Sequence, residues 1–258
     1  LSSWFLIFQF LHYKLKTINF KQSMRIVGFI PTSLVDWDGK ITSVIFIGGC
    51  NFRCPFCQNA QVADDDPSLP TITWEEIKSL LERKLGWLDG VVISGGEPMM
   101  HPEIFELCAR IKELGLKVKM DTNGSFPYPL KRAIALKLID AVAMDIKAPL
   151  NSRYSSAVGR HLPSLAPLRR SIRLLLESGI EYEFRATIVP GLINPEDIPE
   201  IGKAIQGAKM VVFQQFVPEN ARAPAFRQKK PYTLQDVERM RAEIAKFVDK
   251  VKLRGKFY

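Results

Sequence analysis

Residues 41–59 read ITSVIFIGGCNFRCPFCQN. From Ile41 the run is apolar and β-branched, as expected of a strand buried on both faces. It breaks at Gly48-Gly49 and then places Cys50, Cys54 and Cys57 within eight residues. Thiolates bind zinc or an iron–sulfur cluster, whereas neutral thiols in a core do neither. Whether the cysteines form a site depends on the rest of the chain, because parallel barrels build their sites at the carboxyl ends of several strands.

Five more strand-like runs succeed this one in order. They extend over 90–96, 117–124, 140–147, 181–190 and 209–216. Helical patterns lie between them at 74–85, 102–114, 129–138, 167–178 and 195–205, and a last helix is expected over 233–250. Thr73 and Asn194 occupy N-cap positions, and Pro102, Pro129 and Pro195 fall at or near first turns. Gly115, Gly179 and Gly207 stop helices. Strand–helix units in this order predict parallel strands with right-handed crossovers. The expected fold is α/β, a partial (β/α)6 TIM-like barrel short of the full eight units. An open doubly wound sheet is the alternative, but no glycine-rich fingerprint comes after the first strand to support it.

The chain has 258 residues, 47% hydrophobic and 24% charged, with a mean hydropathy of −0.01. That balance excludes disordered and fibrous classes. No apolar run approaches the length of a membrane span, so no membrane partner is expected. The net charge of +9 is spread among acidic residues without a basic stripe, so nucleic acid is not expected as a partner either. Four cysteines are too few for a disulfide scaffold and point to a reducing cytoplasm. Residues 1–23 differ from the rest, with four phenylalanines, three lysines and no acid. They read as an over-extended start or a flexible appendage, ahead of Met24 and a short strand at 25–29. Residues 24–258 then form one domain with its core at 41–216. The polar stretch 218–231 is expected to be a mobile loop.

A structural zinc site takes four ligands. The nearest candidates for a fourth are Cys108 and His101. Cys108 shares a helix face with Ile104, Leu107, Ile111 and Leu114, which makes it a core residue. His101 begins the same helix and reads as a surface or capping residue. Three ligands without a fourth leave one coordination position open, which on a [4Fe–4S] cluster frees one iron for a ligand.

The C-x3-C-x2-C spacing at the end of the first barrel strand, with aromatic Phe56 before the third cysteine, resembles the radical S-adenosylmethionine (radical SAM) superfamily. Ser94-Gly95-Gly96-Glu97-Pro98, closing the second strand, resembles that family's GGE motif, which holds the methionine amino group. Alone it would read as a glycine turn with a helix-start glutamate. Asp145 and Lys147 share one strand face while Met144 and Ile146 share the other. Buried charges need partners or a ligand, so a polar lumen implies a bound substrate or an Asp–Lys ion pair.

Asp121-Thr122-Asn123-Gly124 and Asp145-Ile146-Lys147 together resemble the glycyl-radical-enzyme activases. The lead-in Ser33-Leu34-Val35-Asp36-Trp37-Asp38-Gly39-Lys40 is similar to that of activases of anaerobic ribonucleoside-triphosphate reductase. The pattern is also similar to pyruvate formate-lyase activating enzyme. The resemblance implies a [4Fe–4S] cluster on Cys50, Cys54 and Cys57. It also implies S-adenosylmethionine held by Gly95, Gly96 and Glu97, with Phe56 near the adenine and Asn123 on the cofactor side. Asp121, Thr122 and Asp145 would help bind a monovalent cation, and Lys147 would face a peptide substrate. Arg185 corresponds to a cofactor-contacting arginine, with a pair to Glu183 as the alternative. Gln215 and Phe216 would lie near the adenine, or Phe216 in the core. The implied partners are a glycyl radical enzyme, with anaerobic ribonucleotide reductase foremost, and a flavodoxin- or ferredoxin-like electron donor. The rival is a radical SAM enzyme acting on a small molecule or nucleobase, such as 7-carboxy-7-deazaguanine synthase. Two positions depart from the pattern: Asp38 stands for the usual proline, and Gln58 for the usual histidine. No second cluster is expected, because the cysteine-rich insertion of some activases is absent.

Overall fold

A computed structural model describes residues 24–257. The expectation for residues 1–23 lies outside the described residues. Eight strands form one sheet in chain order: β1 (Ile26–Ser33), β2 (Thr42–Ile47), β3 (Gly90–Gly95), β4 (Lys117–Thr122), β5 (Ala141–Asp145), β6 (Glu181–Ile188), β7 (Val211–Gln215) and β8 (Val251–Arg254). Strands β2 to β8 are parallel, β1 runs antiparallel to β2, and β1 and β8 form the two edges. The result is the expected partial barrel. The β7 to β8 crossover adds one parallel strand beyond the six read from sequence.

Helices alternate with the strands: α1 (Ala60–Ala63), α2 (Trp74–Glu82), α3 (Ile104–Glu113), α4 (Pro127–Ala135), α5 (Tyr154–Val158), α6 (Ala166–Glu177), α7 (Ile198–Ala204), α8 (Pro224–Arg227) and α9 (Leu234–Ile244). Thr73 caps α2 in a reciprocal box with Glu76, and Thr233 does the same for α9 with Asp236. The last helix ends six residues earlier than expected. There the chain turns into β8, a four-residue strand whose pattern VKLR is too short for alternation to reveal it.

Strand alternation sorts the side chains. Ile45, Ile93, Val118, Met120, Val142, Met144 and Phe184 join one large core with the helices. The other face turns into the lumen, where Trp37, Val44, Val92 and Ala141 form a small apolar cluster. Trp37 comes from the β1–β2 connection and donates its indole N–H to Glu181 Oε1 at 2.7 Å. Beside it Lys119 donates to Asp36 O at 2.6 Å and to Glu183 Oε1 at 3.1 Å, and Arg254 completes the group on Glu183 at 3.4 Å. This group fills the amino-terminal end of the lumen with Trp37 and paired charges.

Candidate active site

A cavity of about 410 Å³ opens at the carboxyl ends of the strands. Cys50, Cys54 and Cys57 line it together with Phe56, Gly95, Gly96, Asp121, Asn123, Asp145, Lys147, Arg185 and Gln215. Twelve of the thirteen expected site residues therefore meet on one surface. The thirteenth, Glu97, does not.

The cysteine loop is held by its surroundings. Gly49 donates to Val62 O at 2.9 Å and accepts from the Glu97 amide at 2.8 Å. A Cβ on Gly96 would lie 1.8 Å from Gly49 O, and one on Gly95, whose φ is +120°, 2.3 Å from Ile47 O. The two glycines thus let the end of β3 touch the loop after β2. Cys57 N donates to Cys54 O at 3.1 Å, closing a turn between the ligand candidates, and Arg53 N donates to Val158 O at 2.8 Å. Burial pushes the Cys50 thiol up to about 12, with the Phe52 amide opposing, and burial also raises Cys54, with the Lys147 cation opposing. Among the described residues, no three His, Cys, Asp or Glu side chains converge tightly enough to hold a single metal ion. Three thiols lining one cavity suit a cluster whose thiolates sit on different irons.

The same cavity is lined by a chain of charges. Arg185 donates through Nη1 to Asp121 Oδ2 at 2.9 Å and through Nε to Asp145 Oδ1 at 3.0 Å. Lys147 donates to Asp145 Oδ2 at 3.2 Å, and its Nζ lies 5.8 Å from the Phe56 ring centre. The alternative pairing of Arg185 with Glu183 is not observed, because Glu183 is taken by Lys119 and Arg254. Burial alone would raise Asp145, but the Arg185 and Lys147 cations outweigh it and hold the carboxyl below its ordinary value. Asp121 Oδ2 also accepts from Ser94 Oγ at 2.9 Å. Its Oδ1 is buried and has no donor among the described residues. That leaves one strong acceptor for a cationic part of a ligand.

Glu97, expected to accept from a ligand ammonium, has its side chain fully buried and off the cavity surface in this structure. Its oxygens accept from Thr122 Oγ1 at 2.7 Å, Asn123 N at 2.6 Å and Met99 N at 3.1 Å. Glu97 therefore braces the end of β4 against the end of β3. Burial raises its pKa to about 7 against these three donors.

The remaining positions singled out in the sequence have varied surroundings. Gln215 lines the cavity with its amide already engaged, donating to Tyr232 O at 3.1 Å. Phe216 is in the core, as is Cys108. His101 Nε2 lies 2.9 Å from Gly48 O, steadying the turn before the cysteines. The stretch expected to be mobile is docked instead: Arg222 N donates to Cys57 O at 3.0 Å and Ala223 N to Pro55 O at 2.9 Å. No composition signal marks such a contact, since a proline-containing polar segment looks the same whether docked or free. Ser94 lines the cavity without a role read from sequence, although alternation makes it a lumen position on β3, and Asn51 supports Asn123 from beside it.

The family model described as "Radical SAM superfamily" matches residues 44–205. A glycyl-radical enzyme activating enzyme of Methanocaldococcus jannaschii is 32% identical over 234 residues, 88% of this chain and 94% of that protein. The pyruvate formate-lyase-activating enzyme of Clostridium pasteurianum is 29% identical over 237 residues, 88% of this chain and 95% of that protein. Among solved structures, SuiB of Streptococcus suis bound to precursor peptide SuiA superposes with a TM-score of 0.63 at 18% identity. That match covers 82% of this chain but only about half, 48%, of SuiB, and it speaks to fold alone. With the family model matching well over half of its length, the chain belongs to the radical SAM superfamily.

Proposed function

We propose that the protein is a glycyl-radical-enzyme activating enzyme that takes a hydrogen atom from a glycine Cα of a partner protein. Anaerobic ribonucleoside-triphosphate reductase is the proposed partner. The observation that carries this reading is the single cavity in which three cysteine thiols face the chain Asp121–Arg185–Asp145–Lys147. The near full-length likeness to proteins named as activating enzymes supports it.

Radical SAM membership implies a [4Fe–4S] cluster and S-adenosylmethionine, and the residues present fit both. The three thiols line one cavity, and Asp121 Oδ1 is a buried acceptor with no donor among the described residues. When bound, the two groups supply reductive cleavage of S-adenosylmethionine, which abstracts hydrogen and yields methionine and 5′-deoxyadenosine. Cys50, Cys54 and Cys57 would hold the cluster. Gly95 and Gly96 would offer backbone to the methionine portion, and Asp121 would accept from its ammonium or coordinate a monovalent cation. Arg185 bridges Asp121 and Asp145 and helps hold the Asp145 carboxyl in its charged form. Asn123 donates to Asn51 Oδ1 at 2.9 Å and toward Cys50 Sγ at 3.9 Å, so it ties the end of β4 to the cysteine loop. Phe56 and Gln215 would flank the adenine. Lys147 would present its ammonium to a carbonyl of the incoming glycine loop. A flavodoxin- or ferredoxin-like protein would supply the electron.

A polypeptide substrate also agrees with the charge of one stretch of the chain. Between residues 122 and 176 it carries, besides the cavity residue Lys147, eight Lys and Arg against only Asp140 and Asp145. Exposed Lys131, Arg160 and Arg170 are among them, the last donating to the exposed Tyr128 hydroxyl at 3.0 Å. Exposed basic residues of this kind would attract an acidic partner.

The test is electron paramagnetic resonance on reduced, reconstituted protein mixed with S-adenosylmethionine and an anaerobic ribonucleotide reductase. A glycyl-radical doublet is expected. Lys147→Ala should keep its iron and its slow uncoupled cleavage of S-adenosylmethionine while losing most of the doublet. Asp145→Ala should slow the cleavage itself, because its carboxylate belongs to the cofactor wall. Equal loss of cleavage in both variants would return Lys147 to a cofactor or folding role. No doublet on any glycyl radical enzyme, with turnover of a small molecule instead, would favour the nucleobase or small-molecule rival.

A further inference from the structure

The segment after β7 has no counterpart in the roles assigned so far. It leaves the sheet at Phe216 and passes over the outside of the cysteine loop. It is tied there by two backbone hydrogen bonds, Arg222 N to Cys57 O at 3.0 Å and Ala223 N to Pro55 O at 2.9 Å. The Arg222 side chain turns back onto the same loop, pairing through Nη1 with Asp64 and donating through Nη2 to Ala60 O at 3.4 Å. Asp64 is shared with Arg53, 3.5 Å away, the residue before Cys54. Arg227 in turn fixes the segment itself, donating to Ala221 O at 2.8 Å and Arg222 O at 3.4 Å. The contacts therefore span residues 53 to 64, the stretch that contains two of the three cysteines.

We propose that residues 218–227 act as a strap and that Arg222 is a positioning residue for the cluster, fixing the cysteine loop and lending it positive charge. Three observations support this. The carbonyls engaged are those of Cys57 itself and of Pro55, so the strap contacts the backbone of the turn directly. The Arg222 side chain is only 15% exposed, where a charge is screened less than on the surface. Its Nε–H is buried without an acceptor among the described residues, a donor left over beside the site. A cation near the cluster favours the reduced form, which carries one more negative charge, and Asp64 opposes that effect.

The inference rests on Cys50, Cys54 and Cys57 holding the cluster, and iron analysis of wild-type protein tests that premise separately. Two variants with opposite charge consequences test the strap. Arg222→Ala removes the cation, and Asp64→Asn removes the anion while leaving Arg222 in place. Both break the clasp, so both should release iron to a chelator faster, about threefold to tenfold over wild type. The midpoint potentials, from redox titration read by electron paramagnetic resonance, should move apart: lower in Arg222→Ala and higher in Asp64→Asn. Arg222→Lys should restore the potential better than the iron retention, because an ammonium keeps the charge but not the two-pronged contact. Circular dichroism melting identifies any variant that has simply unfolded. If Arg222→Ala is folded but takes up no cluster, the positioning limb holds, and the Asp64→Asn and Arg222→Lys potentials decide the charge limb. Wild-type release rates in both variants, or potentials that shift in the same direction, would overturn the proposal.

Discussion

Half-buried Cys50 and fully buried Cys108 are both thiols pushed up to about 12 by desolvation, yet they belong to different chemistry. The Cys50 sulfur receives the Phe52 amide at 3.4 Å and lines a polar cavity, while Cys108 packs among helix and strand side chains in the main core. Iron and sulfide analysis after anaerobic reconstitution should therefore give about four of each per chain for wild type and for Cys108→Ala. Alanine at Cys50, Cys54 or Cys57 should abolish the cluster, and Cys108→Ala should lose only about 1 kcal/mol of packing. Glu97 makes a separate prediction about pH. Its folded pKa of about 7 lies above the ordinary 4.5, so the folded state binds the proton more tightly than the unfolded one. That contribution to stability is complete below pH 4.5 and is lost as pH rises through 7. Glu97→Gln cannot titrate. Its stability relative to wild type should therefore improve by up to about 3 kcal/mol across that window, read by urea unfolding at several pH values. A difference that stays constant with pH would mean the three donors keep Glu97 ionised throughout.

At the scale of elements, alternation on β4, β5 and β6 is the most legible feature of the chain. Met120, Met144 and Phe184 face the core, while Asp121, Asp145 and Arg185 face the lumen, as a period of two requires. What the pattern cannot reveal is which lumen charge meets which, since pairing across strands depends on register and barrel curvature. Arg185 lies opposite Asp145 in the β5–β6 register, and that contact, rather than its neighbour two residues back, selects its partners. Glu97 escapes sequence reading for a related reason: its motif fixes where the backbone runs, but the side chain turns behind the wall to Thr122 and Asn123. The Gly95-Gly96 bend carries the element-scale prediction. Alanine at Gly96 would force a Cβ to within 1.8 Å of the Gly49 carbonyl, so backbone must move. Gly96→Ala should destabilise the fold by about 1–3 kcal/mol in urea unfolding and reduce reconstituted iron, because the displaced loop carries Cys50. Full stability with full iron would mean the β2 and β3 ends can separate freely.

The molecule as a whole has two unlike poles. Trp37, Lys119, Glu183 and Arg254 plug the amino-terminal end of the barrel, while the cysteines and the Asp121–Arg185–Asp145–Lys147 chain line the open carboxyl end. The lead-in around Trp37 matches a family pattern in sequence without revealing that it serves as the floor of the lumen. Among the described residues no helix is long and apolar enough to cross a membrane. A partner protein would meet the end that carries the cysteines, and basic residues between Lys131 and Arg173 would attract an acidic one. The most direct measurement of the central claim uses a glycyl radical enzyme labelled with deuterium at its glycine α-carbons. The reduced, reconstituted protein is mixed with it and S-adenosylmethionine, and the 5′-deoxyadenosine formed is analysed by mass spectrometry. The account predicts 5′-deoxyadenosine carrying one deuterium, in proportion to the glycyl radical formed. Unlabelled 5′-deoxyadenosine, with no radical on the partner, would contradict it.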